Sequence, residues 1–443
     1  MKRFQIPLPF LKSLLLLIFL NGIIKPLWIF GVDRQVQNIT GYKVYGTYFA
    51  FMNLSLVLNF MLDMGITPYF NKTASGNLPL LNKLILQSFV IKWLLSACFA
   101  LVIFFIAIST GVSTGYLFWL LVLFQIVTSF LLWLRAILSA TQQFSADAIV
   151  SAVDKIFATI IAGIGFYFLG WKLNISIETF VWIQIAGLLI AILLCLYFLT
   201  KTQLNLKQFS GSLINFSLLK GSLPFALTYF FMSMHSRTDG FLLERLLPNG
   251  AYKAGIYASG YRLVDAINMG GFLISSFLLP YIANRWPDKN ALAPLIRMCR
   301  HVLMLSSLCI AIVVAHWSDD VNNLLYNGRD ISAGNVIAVL LFTLPALGLV
   351  HIYGTLLTAT GNIIRFMIIS AFFALINITF NLIFIPQFGL SAAMWIAVIT
   401  QTLYAIVVCF DAVKQTTIKF AFSDLLIYLA VAAALLLCLN HLF

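Results

Sequence analysis

Between Pro224 and Pro280, two apolar runs carry His235, Arg237, Asp239, Glu244, Arg245, Arg262 and Asp265. Each run is long enough to cross a bilayer as a helix, which takes about 20 residues. A charge held at the centre of such a helix costs roughly 2.5–3.5 kcal/mol, so these side chains must face water, one another or a ligand. On a helix, His235 and Asp239 share a face, Arg237 points nearly opposite Asp239, and Arg262 and Asp265 are close enough to pair. The chemistry this suits is anion binding. Guanidinium groups grip phosphate or pyrophosphate through paired donors, and a neighbouring acid, Asp265 or Asp239, can take a proton or ion and release the cargo. The alternative is an internal ion pair that only fixes helix packing. Glu244 and Arg245 fall near a helix end and read as interfacial.

Catalytic patterns are missing from the sequence. The five histidines (His235, His301, His316, His351, His441) are scattered, and no HExxH, GxSxG or paired-carboxylate motif occurs. Neither a metal nor a cofactor is implied, and an enzyme is not expected. The six cysteines lie singly inside apolar runs with no CxxC spacing, as free thiols do.

The elements that must position the charged residues are membrane helices. The chain of 443 residues is 62% hydrophobic and 9% charged, against about 25% charged in ordinary soluble domains. Its net charge of +13 sits in short segments at the ends of apolar runs, a membrane-orientation signature rather than a nucleic-acid surface. Those runs fall near 8–31, 43–65, 82–109, 115–139, 147–170, 177–200, 222–246, 254–283, 297–316, 333–358, 364–385, 390–412 and 421–441. The fold class expected is an all-α polytopic membrane protein with about thirteen transmembrane helices. The runs divide into a six-helix lobe over 1–200, a cytoplasmic linker over 201–221, a second six-helix lobe over 222–412 and an extra helix over 413–443. In the linker, Leu213, Phe216 and Leu219 would share one helical face opposite Ser212 and Asn215, so it either lies on the membrane surface or merely bridges. With the N-terminus inside, most Lys and Arg fall on the cytoplasmic side, Arg135 and Arg300 among them. Arg34, Lys43, Lys172, Arg245, Lys253 and Arg329 fall outside, and the C-terminus ends outside. The apolar start continues past Leu27 with no small-residue cleavage site, as a retained helix does.

Further polar candidates punctuate the first lobe. Lys25 precedes Pro26 near the outward end of the first run, where it either snorkels to the interface or lines a cavity. Arg34 follows in the next loop and is counted with the candidate cations. Asp63 closes the second run, either snorkelling or serving ion coupling. Asp147, Ser151 and Asp154 share a face at the start of the fifth run, where helix capping is favoured over an ion site.

Several segments resemble one family, the multidrug/oligosaccharidyl-lipid/polysaccharide (MOP) transporter superfamily, and within it the polysaccharide branch. ITGYKVYGTYFAFMNLSLVLNFMLDMGI is similar to that branch's Gly-x-x-x-Tyr-Gly opening of helix two and its Asp-x-Gly exit. TDGFLLERLLPNGAYKAGIY resembles the end of helix seven, and GIYASGYRLVDAINMGGFLISSFLLP the Arg-Leu and acid of helix eight. LTATGNIIRFMIISAFFALINITFNLIFIPQFGLSAAMWIAVITQ resembles helices ten to twelve. The resemblance implies two six-helix bundles around a central cavity that opens alternately to each side. It implies an undecaprenyl-pyrophosphate-linked oligosaccharide as cargo, as in Wzx-type O-antigen flippases of the bacterial inner membrane. Membrane lipids, and polysaccharide polymerase or assembly proteins, would be its partners. Lys25 and Arg262 then match basic cavity positions of the first and eighth helices in related lipid II flippases, with Asp265 where those relatives often keep an acid. A lipid II flippase and an ion-coupled multidrug antiporter are the alternatives within the same superfamily. Thirteen helices depart from the family's usual twelve or fourteen.

Overall fold

A computed structural model of the chain describes residues 19–67, 78–170, 174–202, 216–418 and 420–441. Among these residues no strand occurs, and every apolar run of the sequence is helical over its described part. We number the helices as follows: α1 Phe19–Asp63, α2 Leu78–Ser109, α3 Tyr116–Ala140, α4 Phe144–Phe168, α5 Ile177–Thr200, α6 Phe216–Leu246 and α7 Gly250–Arg285. Then come α8 Lys289–His316, α9 Ser318–Tyr326, α10 Ile331–Leu340, α11 Thr343–Ala359, α12 Ile363–Phe388, α13 Leu390–Thr416 and α14 Phe422–His441. Ten helices among the described residues are long and apolar enough to cross a membrane, with α10 and α11 counted as one broken span. The chain is a multi-pass membrane protein. Its outward surfaces carry the rings and branched chains that a lipid solvent accepts, such as Phe410 at 71% exposure and Phe168 at 82%.

Two compact units divide the chain. Unit 1 comprises residues 1–40 and 51–230, and unit 2 comprises 41–50 and 231–443. In unit 1, α5 packs on α3 and α4, and the end of α1 packs on α2 and α3. Buried polar ties hold it between helices. The Gln125 amide donates to the Ser55 hydroxyl at 3.0 Å, and Asn59 donates to Gln125 at 3.0 Å. The expected amphipathic face of the 201–221 linker lies outside the described residues for most of its length.

Unit 2 has a large apolar core where α7, α8, α11, α12 and α13 meet, including Leu278, Ile296, Leu303, Tyr353, Phe366 and Tyr404. α14 packs on α8. Asp330 caps α10 through the Ser332 amide at 2.8 Å and accepts from the Tyr252 hydroxyl at 2.8 Å. Partial burial pushes the Asp330 carboxyl up, but the Tyr252 and Ser332 hydrogen bonds outweigh it and hold the group below its usual range.

One sequence expectation is corrected. The polar stretch after residue 31, read as an outer loop, is helix: a π-helical turn spans Ile29–Asp33, and the helix runs on to a single break at Gly41 (φ 78°, ψ 165°). The polar residues are tolerated because one face is buried in protein, with Asp33, Gln37 and Asn38 among the buried side chains. Lys25 is therefore not at an outward helix end but deep along the helix.

The Gly-x-x-x-Tyr-Gly segment now has a physical sense. Gly41 takes the positive φ that kinks the helix. Gly46 brings α1 against the backbone of α7, where an added Cβ would lie 1.8 Å from the Ala251 carbonyl oxygen and 2.6 Å from the Gly255 nitrogen. Gly46→Ala is expected to cost about 1–3 kcal/mol, the usual range for overpacking. Thermal unfolding in detergent measures it, and an unchanged Tm would contradict the close approach.

Candidate functional site

Arg237 and Asp239 belong to two separate arrangements on opposite faces of α6. On one face, Arg237 donates to both carboxylate oxygens of Asp265 on α7, Nη1 at 3.0 Å and Nη2 at 2.9 Å. Arg262 lies 3.9 Å from the same carboxylate and donates from Nε to the Tyr45 hydroxyl at 2.9 Å. Its guanidinium also sits over the Phe49 ring at 5.6 Å, and that of Arg237 over Tyr261 at 5.0 Å. The bidentate partner of Asp265 is thus Arg237 across helices rather than Arg262 one turn away. Two guanidiniums share one carboxylate, leaving one positive charge in an aromatic surround. The side chains of Arg237, Arg262 and Asp265 keep 25%, 17% and 17% exposure.

On the other face, Asp239 is buried and takes only neutral donors: Tyr257 at 3.0 Å and Asn381 at 2.8 Å. The Asn381 amide also reaches Asn377 at 3.0 Å, and Asn377 donates to Thr400 at 3.2 Å. His235 stacks near Tyr404 at 5.2 Å. His235 Nε2 and Asn381 Oδ1 are buried without a hydrogen-bond partner. A carboxylate held only by neutral amide N–H and hydroxyl donors, with no basic side chain bonded to it, is a candidate to take up a proton or a small monovalent cation. Sequence reasoning singled out Asp239 but missed Asn377, Asn381 and Thr400. Two asparagines four apart in an apolar run were the available signal.

Lys25, Arg34 and Asp63 belong to unit 1. Lys25 lies within electrostatic reach of Arg135, Asp154 and Lys155. Arg135 pairs with Asp147 at 2.7 Å, Lys155 with Asp154 at 3.8 Å, and Lys155 also sits over the Trp28 ring at 5.0 Å. Arg135, counted in the sequence only for its cytoplasmic-side charge, is part of this cluster. Ser151 accepts from Asn21 at 2.7 Å, so the face of Asp147, Ser151 and Asp154 is a helix-packing face rather than a cap alone. Arg34 has a buried Nε with no hydrogen-bond partner. Asp63 accepts from the Thr67 amide and hydroxyl at 3.1 and 2.7 Å and from Lys92 at 3.4 Å.

Arg300, counted in the sequence only for its cytoplasmic-side charge, has a buried acidic partner. It is 1% exposed on α8 and pairs with Asp424, itself fully buried at the start of α14. Tyr353 accepts from Arg300 at 2.8 Å, the Phe420 ring covers the guanidinium at 4.3 Å, and Arg297 reaches the other Asp424 oxygen at 2.5 Å. All six cysteines are free, and among the described residues no group of three or more His, Cys, Asp or Glu could hold a metal.

The fold is that of solved MATE transporter structures. The outward-facing structure of a multidrug resistance MATE family transporter of the MOP superfamily covers 92% of this chain and 96% of its own, at 13% identity and a TM-score of 0.65. An inward-facing structure of such a transporter covers 90% and 94%, at 14% identity and a TM-score of 0.64. A MOP superfamily transporter from Pyrococcus furiosus, described by the reverse polarity of its binding pocket, covers 93% and 95%, at 14% identity and a TM-score of 0.64. At such identities the likeness is one of fold. In sequence, residues 224–383 match the MatE family, a stretch that contains both faces of α6 and their partners on α7 and α12. No curated relative matches the chain in sequence.

Proposed function

We propose that the protein is a carrier, not an enzyme, that moves an anionic lipid-linked oligosaccharide across the bacterial inner membrane by alternating access. The observation that carries this reading is the cluster of Arg237, Arg262 and Asp265, which sets two guanidinium groups against one carboxylate, all three partly accessible, on α6 and α7. Fixed cations of this kind suit the pyrophosphate of a polyprenyl carrier. The rings of Tyr45, Phe49 and Tyr261 beside them suit sugar faces. In unit 1, Lys25, Arg135 and Lys155 stand against Asp147 and Asp154, again with one base in excess.

An inside-negative membrane potential favours outward movement of an anion by roughly 2.3 kcal/mol per charge per 100 mV. In this scheme Asp239, whose hydrogen-bond partners are all neutral, takes the proton or monovalent cation that resets the carrier. The N-terminus inside and the C-terminus outside, as counted from Lys and Arg, give the direction.

A second reading is an ion-coupled multidrug antiporter, which the likeness to multidrug MATE structures supports. An organic-cation cargo needs an acidic pocket, and the Arg237–Arg262–Asp265 cluster has the opposite balance. The relative with a pocket of reverse polarity supports a fold that tolerates either sign.

Reconstituted vesicles carrying undecaprenyl-pyrophosphate-linked oligosaccharide test the choice. Arg262→Ala is expected to lower flipping at least about tenfold, the equivalent of one charge-assisted contact. Wild-type rates in that variant, or sodium- or proton-driven efflux of an organic cation by the unaltered protein, would overturn the proposal.

A further inference from the structure

Lys92 lies in the middle of α2, among apolar residues, and is 1% exposed. Its ammonium donates to the Leu62 carbonyl at 2.9 Å, to the Ser129 hydroxyl at 2.5 Å and to Asp63 at 3.4 Å. The local backbone explains why these oxygens converge. α1 ends at Asp63, and Met64 and Gly65 both take positive φ, 46° and 74°. The helix end thus leaves the Leu62 carbonyl to accept from side chains instead, and Ser129 also donates to it at 3.2 Å. The set is one carboxylate, one carbonyl and one hydroxyl. All three are hard oxygen donors, with a single negative charge, which is the composition that holds a monovalent cation rather than a divalent or transition metal. An ammonium in so buried a place needs such acceptors to offset its lost hydration.

We infer that unit 1 contains a monovalent-cation cage permanently filled by the tethered ammonium of Lys92. The cage, at the junction of α1, α2 and α3, needs no exchangeable ion while the lysine is present. Shortening that side chain converts it into a site for sodium, potassium or a small alkylammonium. This inference stands apart from the transport reading and concerns a different carboxylate from Asp239.

The test uses the full chain in detergent, in an Asp239→Asn background so that the unit 2 carboxylate contributes no ion response. Thermal unfolding is followed in N-methylglucamine chloride and in sodium, potassium or methylammonium chloride at equal ionic strength. With Lys92 intact, Tm is expected to be the same in all four salts. Lys92→Ala is expected to lose several degrees in N-methylglucamine and to recover most of that loss in sodium or methylammonium. Adding Asp63→Asn is expected to abolish the recovery. A loss that no cation reverses, or a recovery that persists without the Asp63 charge, overturns the inference. If the alanine variant does not accumulate, Lys92→Ser, whose hydroxyl adds a ligand, is purified in sodium chloride and then exchanged. It is expected to unfold on transfer to N-methylglucamine and to survive transfer to methylammonium; survival in both overturns the inference equally.

Discussion

Asp265→Ala is expected to abolish transport and to destabilise the folded protein at once. The substitution strands Arg237, which has both its terminal nitrogens on that carboxylate at 3.0 and 2.9 Å, and removes the only acid beside Arg262 in the cluster. The groups keep 17–25% exposure, so the full cost of an unpaired buried charge is tempered by water. About 2–4 kcal/mol is expected. The double variant Arg237→Asp with Asp265→Arg separates structure from cargo recognition. It rebuilds the same pair with the same net charge, so thermal stability should return. Flipping should stay low, because the positive end has moved from α6 to α7. Equal recovery of both would mean that the pair is only a packing device.

Asp424→Ala is the other large effect. Asp424 is fully buried and accepts from Arg297 and Arg300, the latter 1% exposed. Tyr353 and the Phe420 ring hold the Arg300 guanidinium in place from two further directions. Without the carboxylate, α8 keeps a buried charge with only neutral partners, and α14 loses its one charged attachment to α8 among the described contacts. A loss of about 3 kcal/mol is expected, at the low end for breaking a buried pair. Limited proteolysis near the α13–α14 turn, together with Tm, measures it. A variant as resistant and as stable as the parent would contradict the anchoring role.

The helices were legible because lipid demands long apolar runs, and thirteen such runs can be read by eye. Charge placement was legible only where it broke the pattern in clusters, as for Arg237, Asp239, Arg262 and Asp265. Single charges were harder to read. Lys92 lies ten residues inside the run that begins near 82 and was passed over, although its insertion cost alone marks it as paired. Arg135 and Arg300 enter the sequence count only as cytoplasmic-side charges, and their acidic partners Asp147 and Asp424, 12 and 124 residues away, emerge only in the tertiary structure. The stretch from Asp33 to Thr40 misled in the opposite sense. Polar residues suggested a loop, while burial of one helical face made them compatible with a continued helix. Pairings across helices depend on which faces meet, and one sequence does not specify that.

The Arg300–Asp424 contact also orders events at the ribosome. The partners are separated by 124 residues, so at about 5–20 residues per second Arg300 emerges on the order of ten seconds before its acid exists. During that interval the guanidinium must be sheltered by Tyr353, by water or by the insertion machinery. Until Asp424 is made, the guanidinium groups of both Arg297 and Arg300 lack the carboxylate they pair with in the finished chain.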